Sequence, residues 1–72
     1  MSRWEYCEVW WEPNQITVNI CTVDGGQEEK YDSAEWPKVL AKLGNEGWEL
    51  TGVLASPSGS QQYWYYFKRP MD

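Results

Sequence analysis

The side chains in this sequence that are best suited to chemistry are aromatic rings with a few cations beside them. Twelve of the 72 residues are aromatic, and six of these are tryptophan. Rings of this kind stack on nucleobases, and each stacked base contributes about 1–3 kcal/mol in proteins that bind single strands. Cations beside the rings can pair with phosphate groups. The pattern therefore points first to a ligand that carries flat bases and phosphates.

The predicted ligand site combines stacking rings, cations for phosphate and loop hydroxyls. Its members are Trp4, Tyr6, Trp10, Trp64, Tyr66, Lys68, Arg69, Ser58 and Ser60. The serine hydroxyls and backbone N–H groups of the loop over residues 56–60 could wrap a phosphate. A simpler interpretation is that the rings only build the core and a subunit interface, where Tyr and Trp are enriched. The two interpretations are compatible, since a site can lie between subunits.

Catalytic chemistry is not expected from this set of residues. The sequence contains no histidine, which is the usual general base and metal ligand. Cys7 and Cys21 alone cannot form a tetrahedral metal site. Glu8 lies among aromatic residues and is interpreted as a rim carboxylate near solvent. We therefore predict a protein that is not an enzyme and that uses no metal and no cofactor.

Length and charge narrow the range of partners. A chain of 72 residues is expected to form a single domain over residues 1–72 with a small core, which favours homo-oligomerisation. A net charge of −5 argues against duplex nucleic acid, whose binding depends on phosphate neutralisation. No apolar run approaches the ~20 residues that span a bilayer. With no targeting segment visible, the cysteines are expected to be reduced thiols in the cytoplasm.

Alternating polar and apolar residues predict strands from Trp4 to Trp11 and from Ile16 to Val23. A four-residue turn between them would place Trp11 opposite Ile16. One face of the pair then holds Cys7, Val9, Trp11, Ile16, Val18 and Ile20. The other holds Trp4, Tyr6, Trp10, Thr17, Asn19 and Cys21. In this register the two cysteines cannot bridge, whereas the less favoured shift by one residue would oppose them. Residues 27–31 are interpreted as a short edge extension.

A helix is predicted in the middle of the chain. Its apolar stripe consists of Trp36, Val39, Leu40 and Leu43. Asp32 or Ser33 can cap its start, and Pro37 fits only near that start. Gly47 is predicted to end it in a conformation with positive φ. Gly44 lies on the apolar side and is predicted to let the helix approach the sheet closely.

Two further strands are predicted, from Trp48 to Ala55 and over residues 61–69. The resulting order β-β-α-β-β predicts an α+β fold with a four-stranded, mainly antiparallel sheet and one helix on one face. One helix covers only one face, so the other is expected to expose apolar rings. The order of the strands stays open, as does the choice of Tyr65 or Tyr66 as the ring that faces the helix.

Three segments resemble a known family. Trp4-Glu5-Tyr6, residues 43–50 and residues 66–70 are similar to the bacterial and phage family called domain of unknown function 4177. The resemblance covers nearly the whole chain and implies a fold more than an activity. A looser similarity is to oligomeric phage sponges, which sequester the cyclic oligonucleotide signals of bacterial immune systems such as CBASS.

The leading hypothesis is a non-enzymatic homo-oligomer in a bacterial or phage-infected cell. It would sequester a cyclic di- or oligonucleotide by stacking its bases and pairing its phosphates with Lys and Arg. The alternative is an interaction module that assembles with itself or docks another protein through the uncovered sheet face, with no small-molecule ligand.

Overall fold

The computed structural model describes residues 3–71, which form one antiparallel sheet and a helix. The elements are β1 (Trp4–Glu12), β2 (Gln15–Cys21), β3 (Gln27–Tyr31), α1 (Trp36–Asn45), β4 (Glu49–Ala55) and β5 (Tyr63–Pro70). A short 3₁₀ turn, Ser33–Glu35, leads into α1. The α+β class is confirmed.

The strand order across the sheet is β3-β2-β1-β5-β4, with every neighbouring pair antiparallel. The first and last strands of the chain therefore lie side by side in the middle of the sheet. The hairpin formed by β1 and β2 meets the hairpin formed by β4 and β5 along this central pair. This β1–β5 pair brings together the aromatic residues from both ends of the chain.

The predicted number of strands was one too few. Residues 27–31 form β3 and pair with β2 from Ile16 opposite Tyr31 to Ile20 opposite Gln27. Their charged composition suggested only a short extension, yet charge is common on edge strands because it discourages pairing with other chains. β2 ends at Cys21, two residues earlier than predicted, and Val23 is fully exposed beyond it.

The predicted register of the first hairpin is confirmed. Trp11 lies opposite Ile16, and Val9 opposite Val18. Cys7 is buried on one face, whereas Cys21 is exposed on the other, and both thiols are free. We call the face that packs against α1 the helix face and the opposite side the open face.

The core lies between α1 and the helix face. Its buried members are Cys7, Val9, Ile16, Val18, Val39, Leu43, Trp48 and Phe67. Tyr65 packs against this core, and its ring centroid lies 4.8 Å from that of Trp36. Tyr65 therefore faces the helix, and Tyr66 lies on the open face.

Both ends of the helical segment are capped as the sequence suggested. The side chain of Asp32 accepts a hydrogen bond from the backbone N–H of Ala34 at 2.9 Å. At the other end the N–H of Trp48 donates to the carbonyl of Leu43 at 3.0 Å, and Gly47 has φ +89°. This arrangement, a Schellman motif, turns the chain directly from α1 into β4.

The predicted role of Gly44 was wrong. A Cβ atom built at Gly44 would meet no atom within 4 Å, so the residue does not mediate a close approach to the sheet. The apolar stripe is narrower than its sequence spacing suggested. Val39 and Leu43 are buried, whereas Leu40 is 41% exposed, and Gly44, one turn further on, is exposed as well.

Candidate functional site

The open face gathers six of the nine predicted site residues. Successive side chains of a strand point to opposite faces, so the even-numbered residues of β1 and β5 share one side of the sheet. These six residues are Trp4, Tyr6, Trp10, Trp64, Tyr66 and Lys68. The two strands come from opposite ends of the chain, and their antiparallel pairing places the rings in two adjacent rows.

Trp10 and Trp64 form the middle of this surface. They are register partners on β1 and β5, and their ring planes are inclined by 9° with centroids 6.1 Å apart. Trp10 is 36% exposed, and Trp64 is half-buried. The two indoles therefore form a stacked, partly solvent-exposed aromatic pair, which we call the platform.

A cation marks one end of the open face. The Nζ atom of Lys68 lies 4.2 Å above the ring of Trp4, within the range of a cation–π interaction. Lys68 is opposite Tyr6 on β1 and opposite Glu49 on β4. This end thus combines a ring, a positive charge and an exposed phenol.

An apolar groove of about 400 Å³ adjoins the same end. It lies where the start of β1 meets the end of β2, with Trp4, Tyr6, Cys21 and Val23 among its lining residues. This volume falls within the range of about 300–1,000 Å³ that is typical of small-molecule sites. Rings and apolar side chains dominate the lining, which suits a flat ligand better than a strongly polar one.

Glu8 and Tyr66 face each other in the centre of the open face. The pKa of Tyr66 is raised above its usual value. The main cause is a hydrogen bond to the Glu8 carboxylate, and burial is the second cause. The Tyr66 phenol is therefore protonated near neutral pH, and its one O–H is engaged by the Glu8 carboxylate.

The charges of the open face are predominantly negative. By strand register the carboxylates on this side are Glu8, Glu12, Glu28 and Glu49, and the cations are Lys30 and Lys68. Lys30 lies 4.0 Å from Glu28 on the edge strand. Lys68 is thus the cation among the rings, and a ligand with many negative charges would meet little compensation here.

Arg69 lies apart from the other predicted site residues. Its Nε donates to Glu5 Oε1 at 2.7 Å, and its Nη1 donates to the carbonyl of Glu46 at 2.7 Å. The guanidinium also lies 4.2 Å above the ring of Trp48. The sequence predicts Arg69 and Lys68 as phosphate partners because both lie beside aromatic positions, but adjacent strand residues point to opposite faces. Its contacts hold the end of α1 on the helix face.

Ser58 and Ser60 also lie away from Lys68. They belong to the loop between β4 and β5, where their hydroxyls bond to each other at 3.2 Å and to that of Ser56. The loop adjoins Tyr63, five strand residues from Lys68, a separation of roughly 17 Å at about 3.3 Å per residue. These serines and Lys68 therefore do not form one phosphate site.

Leu54 belongs to the open face although its sequence position did not indicate this. It lies opposite Trp64 and is 58% exposed. Strict alternation from Leu50, which lies opposite Phe67, would put Leu54 on the helix face. A bulge between Leu50 and Gly52 moves the later residues to the other side. Thr51 is the extra residue, and its hydroxyl donates to the Tyr66 carbonyl at 3.0 Å.

The remaining reactive groups of residues 3–71 are the Cys7 thiol and the acidic side chains. Burial raises the pKa of the Cys7 thiol to about 12, so this thiol is inert at neutral pH. Among residues 3–71, no three His, Cys, Asp or Glu side chains cluster closely enough to hold a metal ion. In the same part of the chain, no helix combines the length and apolar character that crossing a membrane requires.

The chain matches no protein-family model, no curated protein and no solved structure. The resemblance to domain of unknown function 4177 and to the phage sponges therefore stays a prediction.

Proposed function

We propose that this chain is a non-enzymatic homo-oligomer that sequesters a small ligand with flat bases, specifically a cyclic di- or oligonucleotide. The observation that carries the proposal is the partly exposed Trp10–Trp64 platform, with the Lys68–Trp4 pair on the same open face. The helix α1 packs on the opposite side of the sheet, and Trp10 and Leu54 on this side are 36% and 58% exposed. Stacked rings and one cation match the two parts of a nucleotide.

The charge of the site favours cyclic nucleotides over nucleoside triphosphates. A cyclic nucleotide carries one phosphate charge per base, whereas a nucleoside triphosphate carries several charges on a single base. Lys68 is the cation among the rings, and the carboxylates of Glu8 and Glu49 lie on the same face. The site therefore suits a ligand with much aromatic surface and little charge.

The energetics explain why sequestration needs more than one subunit. Two stacked bases contribute about 2–6 kcal/mol, and one charge-assisted hydrogen bond contributes about 1.5–3 kcal/mol. A total of about 4–9 kcal/mol corresponds to dissociation constants from about millimolar to just below micromolar. Tighter retention requires further burial of the ligand, which a second subunit can supply.

Capture followed by release is the direct experiment. The protein is incubated with cyclic di-AMP, cyclic di-GMP, cyclic tri-AMP and ATP, filtered, and then heated to release what it holds. We expect depletion of a cyclic nucleotide from the filtrate, weaker depletion of ATP, and recovery of the intact nucleotide after heating. Degraded nucleotide would indicate an enzyme, and no depletion of any compound would refute the proposal.

Two aromatic substitutions locate the binding surface. Trp10 on the open face and Tyr63 on the helix face are 36% and 37% exposed, so their replacement removes rings of similar accessibility. We expect Trp10→Ala to weaken binding of the captured nucleotide by about 5–150-fold, the equivalent of about 1–3 kcal/mol. Tyr63→Ala is the matched control and should bind normally. Equal losses in both variants would exclude the open face as the site.

A second candidate function is protein docking through the same surface. It is favoured by the exposed apolar side chains of the open face, among them Tyr6 at 54% and Leu54 at 58%. Capture of one specific cellular protein that Trp10→Ala fails to capture would support docking. Docking without a small-molecule ligand also requires that none of the nucleotides tested changes the melting temperature of the protein.

A further inference from the structure

The two edges of the sheet are built differently. The β3 edge carries Glu28, Glu29 and Lys30, the kind of charged sequence that prevents strands from pairing with other chains. The β4 edge carries one charged residue, Glu49, at its first position, followed by Leu-Thr-Gly-Val-Leu-Ala. All seven residues of β4 are exposed, and none is Lys or Pro.

The rows of apolar side chains that form the hydrophobic core extend as far as β4, the edge strand without protecting charges. One row of register partners passes from Cys7 through Phe67 to Leu50. Cys7 and Phe67 are only 1% and 4% exposed, whereas Leu50 is 50% exposed. The row is therefore buried up to β5 and uncovered at the last strand.

A second core row has the same form. It passes from Val9 through Tyr65 to Val53, and the exposed fraction rises from 0% at Val9 to 48% at Val53. A core that is cut open at one side is characteristic of obligate homodimer interfaces, which resemble a divided domain core.

The open face adds a third row that ends at the same edge. Trp10 is opposite Trp64, and Trp64 is opposite Leu54, which is 58% exposed. β4 therefore presents apolar side chains on both sides of its backbone. It also presents the unpaired N–H and C=O groups that any edge strand carries.

We propose that β4 pairs antiparallel with β4 of a second copy, so that the two five-stranded sheets become one sheet of ten strands. The proposal deepens the homo-oligomer of the proposed function by naming its interface. A two-fold axis perpendicular to the sheet keeps helix face with helix face and open face with open face. Leu50 and Val53 then pack beside the exposed ends of the two core rows of the other copy. Each Leu54 packs beside the Trp10–Trp64–Leu54 row of the other copy.

Electrostatics favour this self-pairing over a parallel one. Glu49 stands at the first position of β4, so antiparallel pairing puts the two Glu49 side chains at opposite ends of the interface. The six steps from the first to the last residue of β4, at about 3.4 Å each, separate them by roughly 20 Å. This exceeds the Debye length of about 8 Å at physiological salt, so their repulsion is largely screened.

The pairing would also extend the candidate ligand site. The row Trp10–Trp64–Leu54 would continue across the two-fold axis into the equivalent row of the second copy. A ligand stacked on one platform would then lie beside apolar side chains of both subunits.

Sedimentation velocity without any ligand tests the interface. For the wild type we expect a species of twice 8.5 kDa that dissociates on dilution. Val53→Lys places a charge on the β4 edge and should give a monomer at every concentration. Gln27→Lys adds the same charge to the β3 edge and should remain dimeric. A monomeric wild type, or a Val53→Lys variant that remains dimeric, would overturn the proposal.

Amide hydrogen exchange in the wild type gives a second test that depends on no substitution. We expect β4 amides to be protected at high protein concentration and to lose that protection on dilution, with β3 amides unaffected. Exchange in β4 that does not change with concentration would overturn the proposal. Failure of the interface is distinguishable from failure of the proposed function, because both readings are made without nucleotide, while Trp10→Ala reports on binding alone.

Discussion

Trp10 and Trp64 lie directly opposite each other on the two central strands, with nearly parallel rings whose centroids are 6.1 Å apart. A base inserted between them would need two stacking contacts of about 3.5 Å each, or roughly 7 Å in total. The pair is therefore too close to admit a base and acts instead as one platform on which a base can stack. Trp10 and Trp64 therefore form a single binding element.

Lys68 supplies a direct test of phosphate recognition. Replacing it by Gln removes the cation above Trp4 while keeping a polar side chain of similar length. We expect the affinity for the captured cyclic nucleotide to fall by about 10–150-fold, because a hydrogen bond to a charged group contributes about 1.5–3 kcal/mol. Isothermal titration calorimetry measures this loss. An unchanged affinity would show that Lys68 does not contact the phosphate.

Arg69 is the matched counterpart, since its neighbouring position puts it on the other face. Arg69→Gln loses the ion pair with Glu5 and the hydrogen bond to the Glu46 carbonyl, both 2.7 Å long, and the ion pair is partly shielded from solvent. We expect the free energy of unfolding to fall by about 1.5–3 kcal/mol in urea titrations. Nucleotide affinity of the folded fraction should be unchanged. A loss of affinity with normal stability would return Arg69 to the site.

Replacement by alanine should change the free energy of unfolding in opposite directions at Gly47 and Gly44. Gly47 has φ +89°, so Gly47→Ala is expected to lower the free energy of unfolding by about 1–2 kcal/mol through backbone strain alone. Gly44 lies inside α1 with open space around it, so Gly44→Ala should raise that free energy by about 0.5–1 kcal/mol. Thermal and urea unfolding measure both. Destabilisation by Gly44→Ala would restore the close approach that the sequence suggested.

The two cysteines should differ in reactivity. Cys21 is exposed on the open face, whereas Cys7 is 1% exposed and has its pKa raised to about 12 by burial. A thiol reagent at pH 8 should therefore modify one thiol per chain rapidly and the second only as fast as the protein unfolds. Cys21→Ser should abolish the rapid phase. Rapid modification of both thiols in the native protein would contradict the burial of Cys7.

The Cys7 thiol should make the free energy of unfolding depend on pH in the alkaline range. The folded state holds the Cys7 proton more tightly than the unfolded chain, whose thiol has a pKa of 9.0. The contribution of this proton is complete below pH 9.0 and is lost as the pH rises towards 12. A Cys7→Ala variant should lack this part of the alkaline decline in the free energy of unfolding.

Much of the fold could be predicted from local patterns. The register that puts Trp11 opposite Ile16 follows from collecting apolar side chains on one face, and the end of α1 follows from the conformation that Gly47 permits. Alternation within β1 and within β5 likewise groups the even-numbered rings of each strand on one side of that strand. These features depend on residues that are close in sequence.

The remaining features depend on contacts between distant segments. Pairing of β1 with β5 joins the two ends of the chain, and no alternation pattern specifies it. The bulge at Thr51 reverses the side on which Leu54 lies, and strict alternation gives no sign of it. Arg69 could be assigned to the helix end only once α1 was placed, because its partner there is the backbone of Glu46.

The indole signals of the protein test the central claim most directly. Of the six tryptophans, Trp4, Trp10 and Trp64 lie on the open face, and Trp11, Trp36 and Trp48 lie on the helix side. In a nitrogen–proton correlation spectrum recorded during titration with the captured cyclic nucleotide, we expect the first three indole signals to shift in a saturable way. The other three should stay in place. Shifts confined to Trp11, Trp36 and Trp48, or no shift in any signal, would contradict binding on the open face.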